Sequence, residues 1–279
     1  MKNLKGVITA LVTPFFDGAV DYVSLEKLVR FQLKEGVQGF VINGTTAESP
    51  NLTAAERKEI FQQVRRMTGP EFPLIMGTGS NSTAKTIEET KEAAAIGADA
   101  VLVVVPYYNK PPQRGLIAHF TAVAEATLLP NILYNVPSRT ITSLELDSIV
   151  KLSQHPRICG IKEASGNIDF AKQIRQACGK DFLLLSGDDG SYGGFMTAGG
   201  DGVISVSSHI IPQAMLKVNA SKYQALIDHL FIEANPMPVK KALHLMGLLR
   251  SPECRLPLVE MSALHAEKLQ SLMKEQGLL

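Results

Sequence analysis

The sequence predicts a closed (β/α)8 TIM barrel followed by a small C-terminal helical extension. Eight short apolar runs recur along the first part of the chain, and each precedes a segment of helix length. The runs are almost continuously apolar, as in parallel strands that are covered on both faces. No dinucleotide-type glycine fingerprint supports a doubly wound sheet, which is the alternative arrangement. A chain of 279 residues also suits a single barrel.

The predicted elements follow from these runs and from the breaks between them. The strands are predicted at 7–12, 39–43, 73–77, 100–105, 131–136, 158–164, 182–186 and 202–206. Helical patterns cover 24–34, 54–67, 82–96, 115–127, 143–153, 168–177 and 190–198. A Thr53-x-x-Glu56 sequence predicts a capping box at the second of these helices.

The β signal stops after the eighth run. The last part of the sequence has only helical patterns, at 212–232, 238–249 and 262–276, with proline-containing breaks between them. We therefore expect a catalytic barrel over 1–225 and a C-terminal helical extension over 226–279.

The composition excludes several classes of protein. With 28 basic and 27 acidic residues the net charge is +1, so no basic surface is expected for nucleic acid. No apolar run approaches the roughly 20 residues that cross a bilayer, so no membrane partner is expected. Three cysteines without C-x-x-C spacing argue against a disulfide framework or a zinc site. The N-terminal residues lack a signal-peptide pattern, which indicates a cytoplasmic protein.

Lys162 is the central candidate for chemistry. It lies at the end of the sixth apolar run, and an amine in an apolar wall can add to a carbonyl group. Because side chains alternate along a strand, Lys162 and Glu163 are expected on opposite faces, where they do not neutralise each other directly. Lysines in strands are more often structural than catalytic, so the surrounding residues decide the interpretation.

In a barrel of this kind the catalytic groups lie at the carboxyl ends of the strands. That rule brings together Thr45, Thr46, Tyr107, Tyr108, Tyr134, Arg139, Lys162 and the Gly187-Asp188 turn. The set offers an amine nucleophile, phenols for proton transfer, a guanidinium for a carboxylate and backbone N–H groups for an anion. It contains no metal-ligand spacing, and the adjacent carboxylates of Asp188 and Asp189 are interpreted as solvated or capping groups. These groups suit Schiff-base condensation or cleavage of a 2-keto acid.

Four motifs at these strand ends resemble the dihydrodipicolinate synthase family. They are the segments 44–49 (GTTAES), 106–111 (PYYNKP), 134–140 (YNVPSRT) and 160–166 (GIKEASG). The family belongs to the pyruvate-dependent class I aldolases, which include N-acetylneuraminate lyase. The resemblance covers essentially the whole chain, and the motifs occur in order on the matching strand ends.

The resemblance implies a set of catalytic residues. Lys162 is expected to form a Schiff base with pyruvate. Tyr134 is expected to donate and accept the proton. Thr45 would link Tyr134 to Tyr108, which in this family comes from the neighbouring subunit.

The resemblance also implies substrate-binding residues and partners. Thr46 and the main chain of Ile204 are expected to hold the pyruvate carboxylate, with the Gly187 turn lining the same site. Arg139 is expected to meet the carboxylate of L-aspartate 4-semialdehyde. The family implies a lyase without cofactor or metal, working as a cytoplasmic homotetramer, a dimer of dimers, in the diaminopimelate route to lysine.

Ala47 departs from the family pattern, because the family usually has glycine at this position. If the position required a positive φ, alanine would strain the turn. We expect only a local adjustment there.

A second departure concerns regulation by lysine. Some family members bind lysine through an acidic residue, two histidines and an asparagine. Asn81 and Ser49 match that pattern, but Lys85 replaces the acid and Ala54 and Arg57 replace the histidines. Cations do not favour another ammonium group at close range. We therefore expect weak or absent inhibition by lysine.

Three functions remain open from the sequence. The first is condensation of pyruvate with L-aspartate 4-semialdehyde, which the Arg139 segment favours. The second is an aldolase or lyase for a sugar-derived 2-keto acid. The third is a non-catalytic keto-acid-binding homologue, against which the complete set of reactive residues argues.

Overall fold

The structure, a computed structural model, describes residues 2–279 and confirms the predicted barrel. The barrel strands are β1 Gly6–Ala10, β4 Gly39–Ile42, β5 Leu74–Gly77, β6 Ala100–Val104, β7 Asn131–Asn135, β8 Ile158–Glu163, β9 Leu183–Ser186 and β10 Gly202–Ser205. These eight parallel strands close on one another in the order β1-β10-β9-β8-β7-β6-β5-β4, and β4 pairs with β1. A short antiparallel hairpin, β2 Phe15–Phe16 and β3 Ala19–Val20, lies at the end of β1.

Helices follow the barrel strands and cover the barrel from outside. They are α1 Tyr22–Glu35, α2 Ala54–Thr68, α3 Thr83–Ala95, α4 Gln113–Glu125, α5 Pro137–Thr140, α6 Leu146–Ser153, α7 Ile168–Cys178, α8 Tyr192–Thr197, α9 Pro212–Leu216, α10 Gln224–His229, α11 Met237–Leu245 and α12 Ala263–Glu275. The capping box predicted at α2 is present, since the Glu56 N–H donates to Thr53 Oγ1 over 3.2 Å and the Thr53 N–H donates to Glu56 Oε2 over 2.9 Å.

Alternating side chains of the strands create two apolar layers. One face of each strand packs against the helices in a large outer core that includes Phe40, Val103 and Leu184. The other face fills the barrel with side chains such as Ile8 and Ile132. The barrel interior is therefore a packed core and not a pore, and it supports a site at the mouth of the barrel.

The structure corrects the predicted helix at 212–232. That segment forms two short helices, α9 and α10, because the chain leaves helical geometry between them. Val218 has a φ of 51°, in the left-handed region that an α-helix cannot contain. The β2–β3 hairpin and the one-turn helix α5 were not predicted, and Pro137 begins α5 at a position that suits proline.

The division of the chain at residue 225 stays a prediction. Helix α10 spans that position, and α12 packs against both α10 and α11. Within residues 2–279, no helix has the length and apolarity that crossing a membrane requires.

Candidate active site

Lys162 and Tyr134 face each other across neighbouring barrel strands. The two residues are register partners on β8 and β7, so their side chains project from the same face of the sheet. The Lys162 Nζ atom lies 4.3 Å from the centre of the Tyr134 ring. Each residue is only 7% exposed. The strand pairing thus places an amine directly beside a phenol at the mouth of the barrel.

These side chains border a cavity of about 170 Å³ at the carboxyl ends of the strands. Seven predicted site residues line it together: Lys162, Tyr134, Thr45, Thr46, Ile204, Arg139 and Gly187. A larger cavity of about 340 Å³ lies outside the barrel between α2 and α3. The smaller cavity is the candidate active site, because it alone of the two borders the amine and the phenol.

The turn after β4 carries the two predicted site residues Thr45 and Thr46. Residues Thr45–Ala47 form a 3₁₀ turn in which the Ala47 N–H donates to Gly44 O over 3.1 Å. Thr46 is buried, and its Oγ1 accepts a hydrogen bond of 2.9 Å from Asn235 Nδ2. The left-handed residue of this turn is Glu48, with a φ of 57°, and not Ala47. Alanine therefore fits at position 47 without the strain that a positive φ would bring.

Gly187 leaves the space that the Lys162 side chain occupies. A Cβ atom at Gly187 would lie 2.7 Å from Lys162 Cε, closer than real carbon contacts allow. The Gly187 N–H also donates to Glu163 O over 2.7 Å, which fixes the turn after β9 against β8. Any side chain at this position would displace the candidate nucleophile.

Glu163 points away from Lys162, as the strand alternation predicted. Its carboxylate is buried and accepts hydrogen bonds of 2.7 Å from Asn135 Nδ2 and from the Ser165 N–H. The Asn135 side chain in turn accepts from the Leu144 N–H over 2.9 Å. Glu163 therefore holds strand ends and loops together on the face opposite the cavity.

The last part of the chain supplies two cavity residues that were not predicted. Asn235 and Phe231, in the last part of the chain, line the cavity, and Arg139 Nη2 donates to Asn235 O over 3.5 Å. The segment 235–240 was recognised as a proline-containing break and as part of the family resemblance, but neither signal assigned Asn235 to the site. Sequence separation hides such contacts, because the residue lies 189 positions from its partner Thr46.

The two adjacent aspartates act as acceptors for backbone groups. Asp188 Oδ2 accepts from the Ser191 N–H over 2.9 Å. Asp189 is buried rather than solvated, and its Oδ2 accepts from the Val206 and Ser207 N–H groups over 3.0 and 2.6 Å. Burial raises the pKa of Asp189, and these donors act in the opposite direction. Within residues 2–279, no group of three or more acidic, histidine or cysteine side chains is arranged to hold a metal ion.

Tyr108 is the one predicted catalytic residue that lies outside the cavity. It is 84% exposed and has a φ of 74°, which is unusual for an aromatic residue. Its neighbour Tyr107 lines a second groove that shares Thr45 and Arg139 with the cavity. A single chain therefore leaves Tyr108 in solvent, outside the cavity that Tyr134 borders.

Two of the residues that depart from the lysine-binding pattern, Arg57 and Lys85, lie beside the carboxylate of Glu89, which was not predicted to belong to this region. Glu89 Oε1 lies 3.5 Å from Arg57 Nη2 and 3.9 Å from Lys85 Nζ. Burial raises the pKa of Glu89, while both cations act in the opposite direction. Arg57, Lys85 and Glu89 line one small pocket together with Ser49. Two cations thus share one carboxylate there.

Comparisons with known proteins assign the family. A model of the dihydrodipicolinate synthetase family matches residues 3–276. The 4-hydroxy-tetrahydrodipicolinate synthase of Bdellovibrio bacteriovorus is 56% identical, with 100% of both chains covered. The solved dihydrodipicolinate synthase of Thermotoga maritima superposes with a TM-score of 0.95 at 39% identity, covering 99% of each chain.

A further solved relative carries a ligand. The chloride-inhibited dihydrodipicolinate synthase of Acinetobacter baumannii, complexed with pyruvate, has a TM-score of 0.96 at 41% identity and covers 99% of this chain and 100% of its own. The fold, the strand-end residues and these full-length matches agree. The chain is a member of the dihydrodipicolinate synthase family.

Proposed function

We propose that this protein is a lyase that condenses pyruvate with L-aspartate 4-semialdehyde through a Schiff base on Lys162. The product is 4-hydroxy-tetrahydrodipicolinate, in the diaminopimelate route to lysine. The observation that carries the proposal is the Lys162 amine, held 4.3 Å from the Tyr134 ring in a cavity bordered by Arg139. The names of the full-length relatives and the pyruvate complex of the A. baumannii enzyme support it.

The first half of the reaction captures pyruvate. The Lys162 amine adds to the ketone carbon, and water leaves to give an iminium ion. The iminium then accepts electrons as the methyl carbon loses a proton, which gives an enamine. Tyr134 is the group placed to move protons in both steps, because its phenol adjoins the amine.

The second half forms the carbon–carbon bond. The enamine carbon attacks the aldehyde of the second substrate, whose own amino group then displaces Lys162 from the imine carbon. Ring closure thus releases the enzyme amine, and one water has left for each pair of substrates joined. Arg139 at the rim supplies a guanidinium suited to the second carboxylate. Thr46 and the main chain at Ile204 are proposed to hold the pyruvate carboxylate.

The enzyme is proposed to work in the cytoplasm as a homotetramer, a dimer of dimers, in which Tyr108 serves the neighbouring subunit. The exposure of Tyr108 and the groove beside the cavity support this arrangement. Mixing Lys162→Ala and Tyr108→Phe protomers tests it. Exchange across a dimer rebuilds one intact site per mixed pair, so about a quarter of wild-type activity should return. If Tyr108 acted within its own chain, no mixture would exceed the separate variants.

A paired assay tests the reaction itself. The purified protein is given pyruvate with L-aspartate 4-semialdehyde, and separately a sugar-derived 2-keto acid for cleavage. We expect pyruvate-dependent condensation and no cleavage above background. Cleavage without condensation would replace the proposal with a sugar-acid aldolase. Neither activity, together with reversible pyruvate binding, would indicate a non-catalytic homologue.

A further inference from the structure

A buried ion pair joins the C-terminal extension to the turn that carries Thr45 and Thr46. Lys240 lies on α11 and its Nζ donates to Glu48 Oε1, and both side chains are 0% exposed. Lys240 Nζ also donates to Glu253 O over 2.8 Å and lies 4.2 Å from the centre of the Phe15 ring. Such a pair is costly to remove from water, so it persists only with good geometry.

The second carboxylate oxygen of Glu48 is satisfied as well. Glu48 Oε2 accepts from the Arg255 N–H over 2.9 Å and from Asn51 Nδ2 over 3.4 Å. Burial lowers the pKa of Lys240, and the adjacent Glu48 carboxylate acts in the opposite direction. These hydrogen bonds to the Glu48 carboxylate thus come from the C-terminal segment and from the loop that follows the turn.

Glu48 also bears the unusual backbone geometry of the turn. Its φ of 57° is disfavoured for a residue with a Cβ atom, and its N–H donates to Thr45 O over 3.1 Å. On the other side of Ala47, Thr46 Oγ1 accepts from Asn235 Nδ2. The extension therefore contacts the turn at both residues that flank Ala47.

We infer that Lys240 and Glu48 are positioning residues that set the Thr45–Thr46 turn for capture of the substrate carboxylate. Neither side chain lines the cavity around Lys162, so their effect is exerted through the turn. The inference rests on the proposed function, because the turn is taken to bind pyruvate. It assigns to the extension a role in substrate binding, in addition to its role in packing.

Three variants of the full-length enzyme test the inference: Lys240→Met, Glu48→Gln and the double variant. Each single variant leaves one buried charge unpaired, which lowers the urea unfolding midpoint. The double variant removes both charges and should regain most of that midpoint. Displacement of a binding turn by about 1 Å can cost up to about 100-fold. We therefore expect the pyruvate KM of the double variant to stay raised by about 10-fold or more.

Arg255→Met is the matched control. The Arg255 side chain joins the same C-terminal segment to α2 through Glu56, over 2.6 Å, and to Asn51 O over 2.9 Å, and it makes no hydrogen bond to residues 45–48. This variant should lower the unfolding midpoint but keep the pyruvate KM within about 2-fold of wild type. All assays use conditions in which each variant is fully folded by circular dichroism.

Two results would overturn the inference. One is a double variant with wild-type KM for pyruvate, which would make the pair purely structural. The other is an Arg255→Met variant whose KM rises as much as that of the double variant. A wild-type enzyme without pyruvate-dependent condensation would instead reject the proposed function.

Discussion

At the scale of single residues, the candidate catalytic side chains were predictable where they lie at the ends of strands. Lys162 and Tyr134 are adjacent because β7 and β8 pair in register, and the apolar runs alone place both residues at strand ends. Asn235 was not predictable, because its contact with Thr46 joins distant parts of the chain. The burial of Asp189 was missed for the same reason, since its donors lie in the loop after β10.

The role of Tyr134 gives a prediction at this scale. Tyr134→Phe removes the hydroxyl and keeps the ring beside Lys162, so proton transfer is lost while packing remains. Loss of a general acid–base group typically costs about 10²- to 10⁴-fold, and kcat should fall within that range. Steady-state kinetics measure it, with Tyr223→Phe outside the cavity as the control. A Tyr134→Phe enzyme whose kcat stays within about 3-fold of the wild-type value would exclude Tyr134 as the proton carrier.

At the scale of elements, local patterns predicted the number and order of the barrel strands, but not the β2–β3 hairpin and not every boundary. The capping box at α2 is a local signal and was predicted correctly. The break between α9 and α10 depends on a left-handed valine, which no propensity favours. The turn after β4 shows the same limit, because its left-handed position falls on Glu48, whose carboxylate is held by a lysine far along the chain.

The small pocket lined by Ser49, Arg57, Lys85 and Glu89 is the basis of a prediction about inhibition by lysine. Arg57 and Lys85 both face Glu89 there, so one carboxylate meets two cations before any ligand arrives. A lysine ligand would add another ammonium group, which like-charge repulsion opposes. We expect L-lysine at about 1 mM to leave the condensation rate unchanged.

Lysine titrations of the wild type and of Lys85→Glu measure this. The variant removes one cation and adds an acid, so it should become more sensitive to lysine. A sub-millimolar inhibition constant for the wild type would contradict the prediction.

At the scale of the whole molecule, barrel closure was predictable from the count and spacing of apolar runs. The assembly was not predictable from such patterns, and the expectation of a tetramer rests on family resemblance.

Buried polar side chains at the barrel ends join distant parts of the whole molecule. His209 is fully buried, its Nε2 accepts from the Val12 N–H over 3.2 Å, and its Nδ1 donates to Val206 O over 2.8 Å. It therefore joins the loop after β10 to the segment after β1 as a neutral ring.

His209 makes stability depend on pH. Burial lowers the pKa of His209 to about 4, against 6.5 for the ordinary group, and the bond to Val206 opposes the shift only in part. Between these values the unfolded chain binds the proton and the folded chain does not, so stability is lost as pH falls from about 6.5 towards 4. At pH 5 the loss from His209 should be roughly 2 kcal/mol relative to neutral pH.

Urea unfolding at pH 7 and pH 5, at fixed protein concentration, measures the effect. His209→Gln cannot titrate, so its stability should differ less between the two pH values than that of the wild type. Equal losses in the wild type and the variant would show that other groups cause the acid sensitivity.

The central claim is that Lys162 forms the covalent link to pyruvate. Borohydride is added to the enzyme with pyruvate, and peptide mass spectrometry then locates the reduced adduct. The account predicts one pyruvate-derived secondary amine per chain, on Lys162, and no adduct in Lys162→Ala. Absence of an adduct in an enzyme that still condenses its substrates, or an adduct on another lysine, would contradict it.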